Sequence, residues 1–113
     1  MSTGAMIKVT ILYPKNTDGT FDFDHYLSVH MPLAIARLGD AMEEIRVERP
    51  ISPGAPWPDP PFAAICSFVC RSREEFERAF LPHMEELQAD ISNYTNIQQI
   101  VVISEIEIDR RAR

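Results

Sequence analysis

FDFDHYLSVHMPLAIARL, residues 21–38, reads as one amphipathic helix interrupted near its middle. Phe23, Leu27, His30, Ala34 and Leu38 recur at three- and four-residue spacing, which puts them on one stripe facing a core. His30 lies in that stripe, with Tyr26, Leu27, Leu33 and Ala34 about a turn away. Pro32 follows two residues later. It has no N–H, and its ring crowds the carbonyl of Ser28, so a kink is expected at or just before Pro32. A titratable ring beside a kink and a freed carbonyl makes a polar wall for a pocket. A core histidine bonded to a backbone carbonyl gives the same pattern, and both readings stay open at this level.

Upstream, residues 6–13, MIKVTILY, alternate as a strand with Ile7, Val9, Ile11 and Tyr13 on one face. PKNTDGT, residues 14–20, is turn chemistry. Asp22 is placed to cap the helix that follows, and Gly39 to end it. Downstream, residues 43–49, EEIRVER, form a strand with one wet face. Residues 50–61, PISPGAPWPDPP, hold six of the nine prolines, which excludes a helix or central strand there. Trp57 in that loop is expected to pack on its own domain, a partner subunit or a pocket mouth. FAAICSFVC, residues 62–70, is apolar on both faces. Ser72 and Glu75 make a capping box. It opens a helix to about Asp90 with the stripe Phe76, Phe80, His83, Met84 and Leu87, interrupted at Pro82. His83 reads as a partly exposed helix residue. Residues 97–108 are the last strand.

The order β-α-β-β-α-β is the split βαβ, ferredoxin-like arrangement, an α+β fold with a four-stranded antiparallel sheet and both helices on one face. One domain spans residues 6–108, with tails at 1–5 and 109–113. The third and fourth strands are apolar on both faces, so the face away from the helices would be left wet and apolar. Such a surface marks an interface, and a homodimer packing sheet on sheet resolves it.

A length of 113 residues fits one domain with a modest core. Eleven basic against seventeen acidic residues give a net charge of −6, which argues against nucleic acid and anionic membrane as partners. The basic cluster Arg110, Arg111 and Arg113 reads as a solvated tail. No apolar run approaches the roughly 20 residues of a membrane span, and MSTGAM lacks the layout of a secretion signal. Cys66 and Cys70 fall four apart on one strand face, about 13 Å between Cα atoms, too far for a disulfide. Reduced thiols point to the cytoplasm.

Leu12-Tyr13-Pro14, Gly19, Phe21-Asp22, His25-Tyr26 and His30-x-Pro32-Leu33 together resemble the EthD family, named for ethyl tert-butyl ether degradation, within the dimeric α/β-barrel superfamily. The resemblance runs from about Met6 to Ile108. One departure is that His25-Tyr26 stands where the family often has paired aromatics. The resemblance implies a dimer with a cleft between sheet and helices in each subunit. It also implies relatives that include cofactor-free monooxygenases, isomerases, polyketide-modifying enzymes and some haem-binding members.

The residues themselves supply no phosphate loop and no metal-ligand spacing. His25 and His30, five apart on an α-helix, diverge by about 140°. What remains is an inward imidazole, His30, and a strand-end phenol, Tyr13, as candidate catalytic groups. Tyr26, Leu27, Cys66, Phe68 and Trp57 are the candidate substrate contacts. That set suits cofactor-independent proton transfer on a small apolar or aromatic oxygenated molecule, in an isomerase, decarboxylase or monooxygenase-like reaction. A non-catalytic binding or delivery module needs the same pocket. A haem-binding protein needs an imidazole aimed at an open apolar slot.

Overall fold

A computed structural model describes residues 6–110. The lead at 1–5 and Arg111 and Arg113 of the basic tail lie outside the described residues. Strands β1 (Ile7–Pro14), β2 (Met42–Glu48), β3 (Phe62–Cys70) and β4 (Ile100–Glu105) form one antiparallel sheet in the order β2-β3-β1-β4. Two helical arms cover one face. The first is α1 (Phe23–His25), a π turn (Tyr26–His30) and α2 (Met31–Leu38). The second is α3 (Arg73–Phe80), a 3₁₀ turn (Leu81–His83) and α4 (Met84–Ile91). This is the α+β, ferredoxin-like arrangement expected from the sequence.

Register sorts the side chains. Val9 pairs with Phe68 and Ile103, Ile11 with Cys66 and Val101, and Tyr13 with Ala64. Directly opposed residues share a face, so these residues, with Ile45 opposite Phe68, point toward the arms. Val9, Tyr13, Tyr26, Cys66, Phe68 and Phe76 are buried there and form the core. Leu12, Ile65, Val69, Ile100 and Val102 lie on the opposite face, interleaved with Lys8, Glu44, Arg46 and Ser67. That face is therefore mixed in polarity. β4 lies at one edge of the sheet, and its Ile100, Val101, Val102 and Ile103 are all exposed.

The helix boundaries follow the capping chemistry. Asp22 accepts from the His25 N–H at 3.1 Å, and Ser72 accepts from the Glu75 N–H at 3.1 Å. Each such cap contributes on the order of 1 kcal/mol. Gly39 takes φ of 55° at the end of α2, a conformation that favours glycine. Pro82 breaks the second arm, as its missing N–H requires. β4 is shorter than the apolar run at 97–108. The Ile97 N–H is taken by Thr95 Oγ1 at 3.0 Å, and Asn96 Oδ1 accepts from the Thr20 N–H at 2.9 Å. Those bonds fix the segment to the turn after β1 before the ladder begins.

The first arm departs from an α-helix kinked at Pro32. Its strain is taken up one turn earlier, where the Met31 N–H bonds the Tyr26 carbonyl five residues back. Such a wide turn accommodates one extra residue. The inward stripe is consequently Tyr26, His30, Ala34 and Leu38, at strict four-residue spacing. Leu27, assigned to the inward stripe by α-helical spacing, is instead 49% exposed.

Candidate functional site

A cavity of about 250 Å³ lies between the sheet and the two arms. Its floor is Val9, Ile11, Tyr13, Cys66 and Phe68 from the sheet. Its walls are Tyr26, His30 and Ala34 from the first arm and Phe76, Phe80 and Leu87 from the second. Gln88, Gln99, Val101 and Ile103 also line it, with Met31, Leu38, Ile45 and Ile91. The structure thus brings together Tyr13, Tyr26, His30, Cys66 and Phe68. Two expected contacts are not among them. Leu27 is turned out by the π turn. Trp57 is 65% exposed, carried away from the cavity by the proline-rich loop, where its N–H closes a turn on the Gly54 carbonyl at 3.0 Å.

The π turn corrects a second expectation. On an α-helix His25 and His30 would diverge, but a turn closing through five residues returns them to nearly one face. Both meet the carboxylate of Asp90 on α4. His30 Nδ1 lies 3.0 Å from Asp90 Oδ2, and His25 Nε2 lies 3.0 Å from Asp90 Oδ1. Asn93 Nδ2 donates to the same Oδ1 at 2.9 Å. Asp90 is the functional candidate that sequence reasoning missed. It sits at the end of a helix rich in acidic residues and looks like one more solvated carboxylate. A His at each end of a five-residue span before a proline is the only sequence trace of its partners.

Burial pulls the His30 imidazole below the ordinary histidine value, the Asp90 hydrogen bond and charge pull it partly back, and His25 adds a downward push. Burial works to raise the Asp90 carboxyl, but hydrogen bonds from Asn93, His25 and His30 outweigh it and hold the group below the usual carboxylate value. Asp90 is therefore ionised near neutral pH and has no proton to give. The shared proton belongs on His30 Nδ1, which leaves the lone pair on Nε2, the nitrogen on the ring's other side.

Tyr13 and Tyr94 are joined hydroxyl to hydroxyl at 2.7 Å. Burial pushes Tyr13 up to about 12, against the Tyr94 hydrogen bond that lowers it. Tyr26 is wholly buried, and its ring lies nearly parallel to that of His30, 13° between planes and 5.7 Å between centroids. Its hydroxyl makes no hydrogen bond of ordinary geometry, although the Cys66 thiol and the Tyr13 hydroxyl lie near enough to bear on its proton. Burial, above all, pushes the Tyr26 phenol well above its ordinary value, so it stays protonated. The Cys66 thiol is pushed up by the same burial, which argues against a thiolate nucleophile. His83 lies outside the cavity, 3.9 Å from Glu86. Among the described residues no group of three or more His, Cys, Asp or Glu side chains is arranged to hold a metal. Among them, too, no helix is long and apolar enough to cross a membrane.

The sequence matches the model of the EthD domain over residues 15–98. No curated protein matches it. Among solved structures it is similar to an EthD-like protein from Ralstonia eutropha, at 39% identity and a TM-score of 0.86, with 96% of this chain and 98% of that one covered. An ethyl tert-butyl ether degradation family protein from Bacillus halodurans aligns at 23% identity and a TM-score of 0.67, covering 89% and 98%. A dimeric ferredoxin-like protein from Thermobifida fusca shares the fold at 15% identity and a TM-score of 0.59, covering 94% and 95%. The fold also recurs in a hydroxynitrile lyase from Passiflora edulis, at 14% identity, a TM-score of 0.60 and coverage of 96% and 99%. It recurs again in a cofactor-independent oxygenase from Streptomyces nogalater, at 13%, 0.56 and coverage of 95% and 97%. The family model spans most of the sequence and the Ralstonia structure nearly all of it, so this chain belongs to the EthD family.

Proposed function

We propose that the protein is a small cofactor-independent enzyme that moves a proton on an apolar, oxygenated metabolite held in the cavity. His30 is the general base. Its Nε2 takes the proton, while Asp90 holds Nδ1–H and steadies the imidazolium that forms. The His30–Asp90 pair on the wall of an apolar cavity is the observation that carries this reading. Burial keeps the imidazole neutral at pH 7, and a neutral imidazole is the form that accepts a proton. A delivery module has no use for a half-buried carboxylate aligning a histidine, whereas a base does. The lyase and the oxygenase among the fold neighbours are compatible with such chemistry. The functional unit in this reading is a homodimer in the cytoplasm, packed through the sheet face that carries Val102.

Hydrogen–deuterium exchange tests the base directly, whatever the rest of the reaction. The protein is incubated in D₂O with a panel of small carbon acids, neutral and anionic, and loss of C–H signal is followed by NMR. At least one compound should exchange, and His30→Gln should slow it by about 10²- to 10⁴-fold. Exchange equal in wild type and His30→Gln, or none across the panel, would overturn the reading.

A further inference from the structure

We infer that Tyr26 is the hydrogen-bond donor for the ligand's oxygen, and that the ligand is a neutral, single-ring ketone with an acidic C–H beside its carbonyl. The inference rests on the reading of His30 as a base and adds the substrate class. Tyr26 carries a wholly buried hydroxyl that makes no hydrogen bond of ordinary geometry, with only the weakly polar Cys66 thiol and the engaged Tyr13 hydroxyl near it. Native interiors seldom leave such a group unpaired, and one left so invites a functional account. Tyr13, the other candidate catalytic group, is already joined to Tyr94. Tyr26 has no such engagement, and it lines the same cavity as His30, one π turn away with its ring nearly parallel. A donor and a base standing side by side suit a ligand whose oxygen and acidic carbon are separated by a single atom, which is the geometry of an enolisable carbonyl.

Two observations narrow the class. Among the described residues no Lys or Arg lines the cavity, so a carboxylate or phosphate would be buried there without a counter-charge, at great cost. That favours a neutral ligand over an oxo acid. The volume of about 250 Å³ exceeds the roughly 150 Å³ that accepts benzene in an engineered apolar cavity, and leaves room for one substituted ring among Phe68, Phe76 and Phe80.

The step balances within these groups. His30 Nε2 takes the proton from the carbon next to the carbonyl. The C–H electron pair becomes the C=C bond of the enolate, and the carbonyl π pair moves to oxygen, where the Tyr26 O–H meets it. Return of the proton to carbon completes an exchange or isomerisation without oxidant or metal. A donor aimed where charge develops is the largest single contribution in many such reactions.

The test uses acetophenone and isopropylbenzene, in which a CH–CH₃ unit replaces the carbonyl, titrated by NMR into wild type and Tyr26→Phe. Tyr26→Phe keeps the ring and removes an unpaired buried hydroxyl, so its melting temperature should equal or exceed that of wild type. Acetophenone should bind Tyr26→Phe roughly two- to tenfold more weakly than wild type, with isopropylbenzene unchanged. Deuterium exchange into the acetophenone methyl should fall by about 10²-fold or more. Equal loss of both ligands, no loss of either, or no binding of acetophenone to wild type would overturn the inference. Tyr26-dependent binding without any exchange would sink the proton-transfer reading and leave Tyr26 as the oxygen donor. Exchange indifferent to Tyr26→Phe but abolished by His30→Gln would do the reverse.

Discussion

Asp90→Asn is the most informative change because it alters charge and hydrogen-bond polarity without altering shape. The carboxylate accepts from His25 and Asn93 at Oδ1 and from His30 at Oδ2. An asparagine has one acceptor oxygen and one donor nitrogen. If its oxygen keeps the two partners at Oδ1, its NH₂ is presented to His30 Nδ1. The imidazole must then become an acceptor there, which moves its proton to Nε2 and removes the lone pair needed for catalysis. A charge-assisted hydrogen bond is worth about 1.5 to 3 kcal/mol, or roughly tenfold to a hundredfold in rate if it is felt fully in the transition state. The wrong tautomer adds to that, so a total loss of about 10²- to 10⁴-fold in deuterium exchange is expected. The pH profile carries a sign. Exchange rises with pH as His30 loses its proton, and burial already holds that limb below the ordinary histidine value. Asp90 opposes the burial, so its neutralisation shifts the limb further down while the plateau falls. Of the other titratable groups around the His30 ring, His25 bonds the same carboxylate and Tyr94 is pushed up in part by its charge, so both also lose that influence. Ring ¹⁵N spectra give the tautomer directly. A plateau within a few-fold of wild type with His30 still protonated at Nδ1, or a limb displaced upward, would refute this account of the pair.

Val102→Asp should yield a monomer or aggregate in sedimentation at micromolar concentration, because Val102 opposes Thr10 on the sheet face away from the cavity; an intact dimer would refute the sheet-face interface. Because the folded protein holds His30 below its ordinary value of 6.5, the unfolded chain binds the extra proton first. The melting temperature should therefore decline as pH falls through about 6.5, and the decline should be shallower in His30→Gln; equal slopes would show that another group dominates. Trp57, exposed in its loop, should emit near the solvated limit and ignore acetophenone at saturation, whereas a ligand-dependent shift would place the loop at the cavity after all.

Residues 62–70 are legible as β3 to the residue, because eight apolar positions in nine between a proline-rich loop and a capping serine admit little else. The helix-side burial of Tyr13 follows from period-two alternation in β1. Cys66 and Phe68 sit on a strand apolar on both faces, so only the register against Ile11 and Val9 assigns them to the cavity side. Leu27 and His25 are not legible, and for one reason. Their orientation depends on a single extra residue in a helical turn, and residue identity hardly distinguishes a π turn from an α turn upstream of a proline. Asp90 is hidden for a different reason. Its meaning lies in partners 60 and 65 residues away, and no local period encodes such a pairing. Trp57 departs from expectation because a loop tryptophan is large enough to suggest burial, whereas the prolines around it hold the backbone out from the domain.

The π turn at residues 26–30 can also be viewed as an insertion in the history of a helix. Deleting one residue there, for example Val29, would restore an α turn and rotate everything before it by about 100° relative to α2. The sheet and second arm would be untouched, but Tyr26 would leave the core it fills, so the melting temperature should fall. Asp90 would lose His25 but keep His30, which stays with α2, so any fall in exchange would report the loss of Tyr26 and not of the base. One residue of helix length therefore decides whether Tyr26 and His25 share a face with His30.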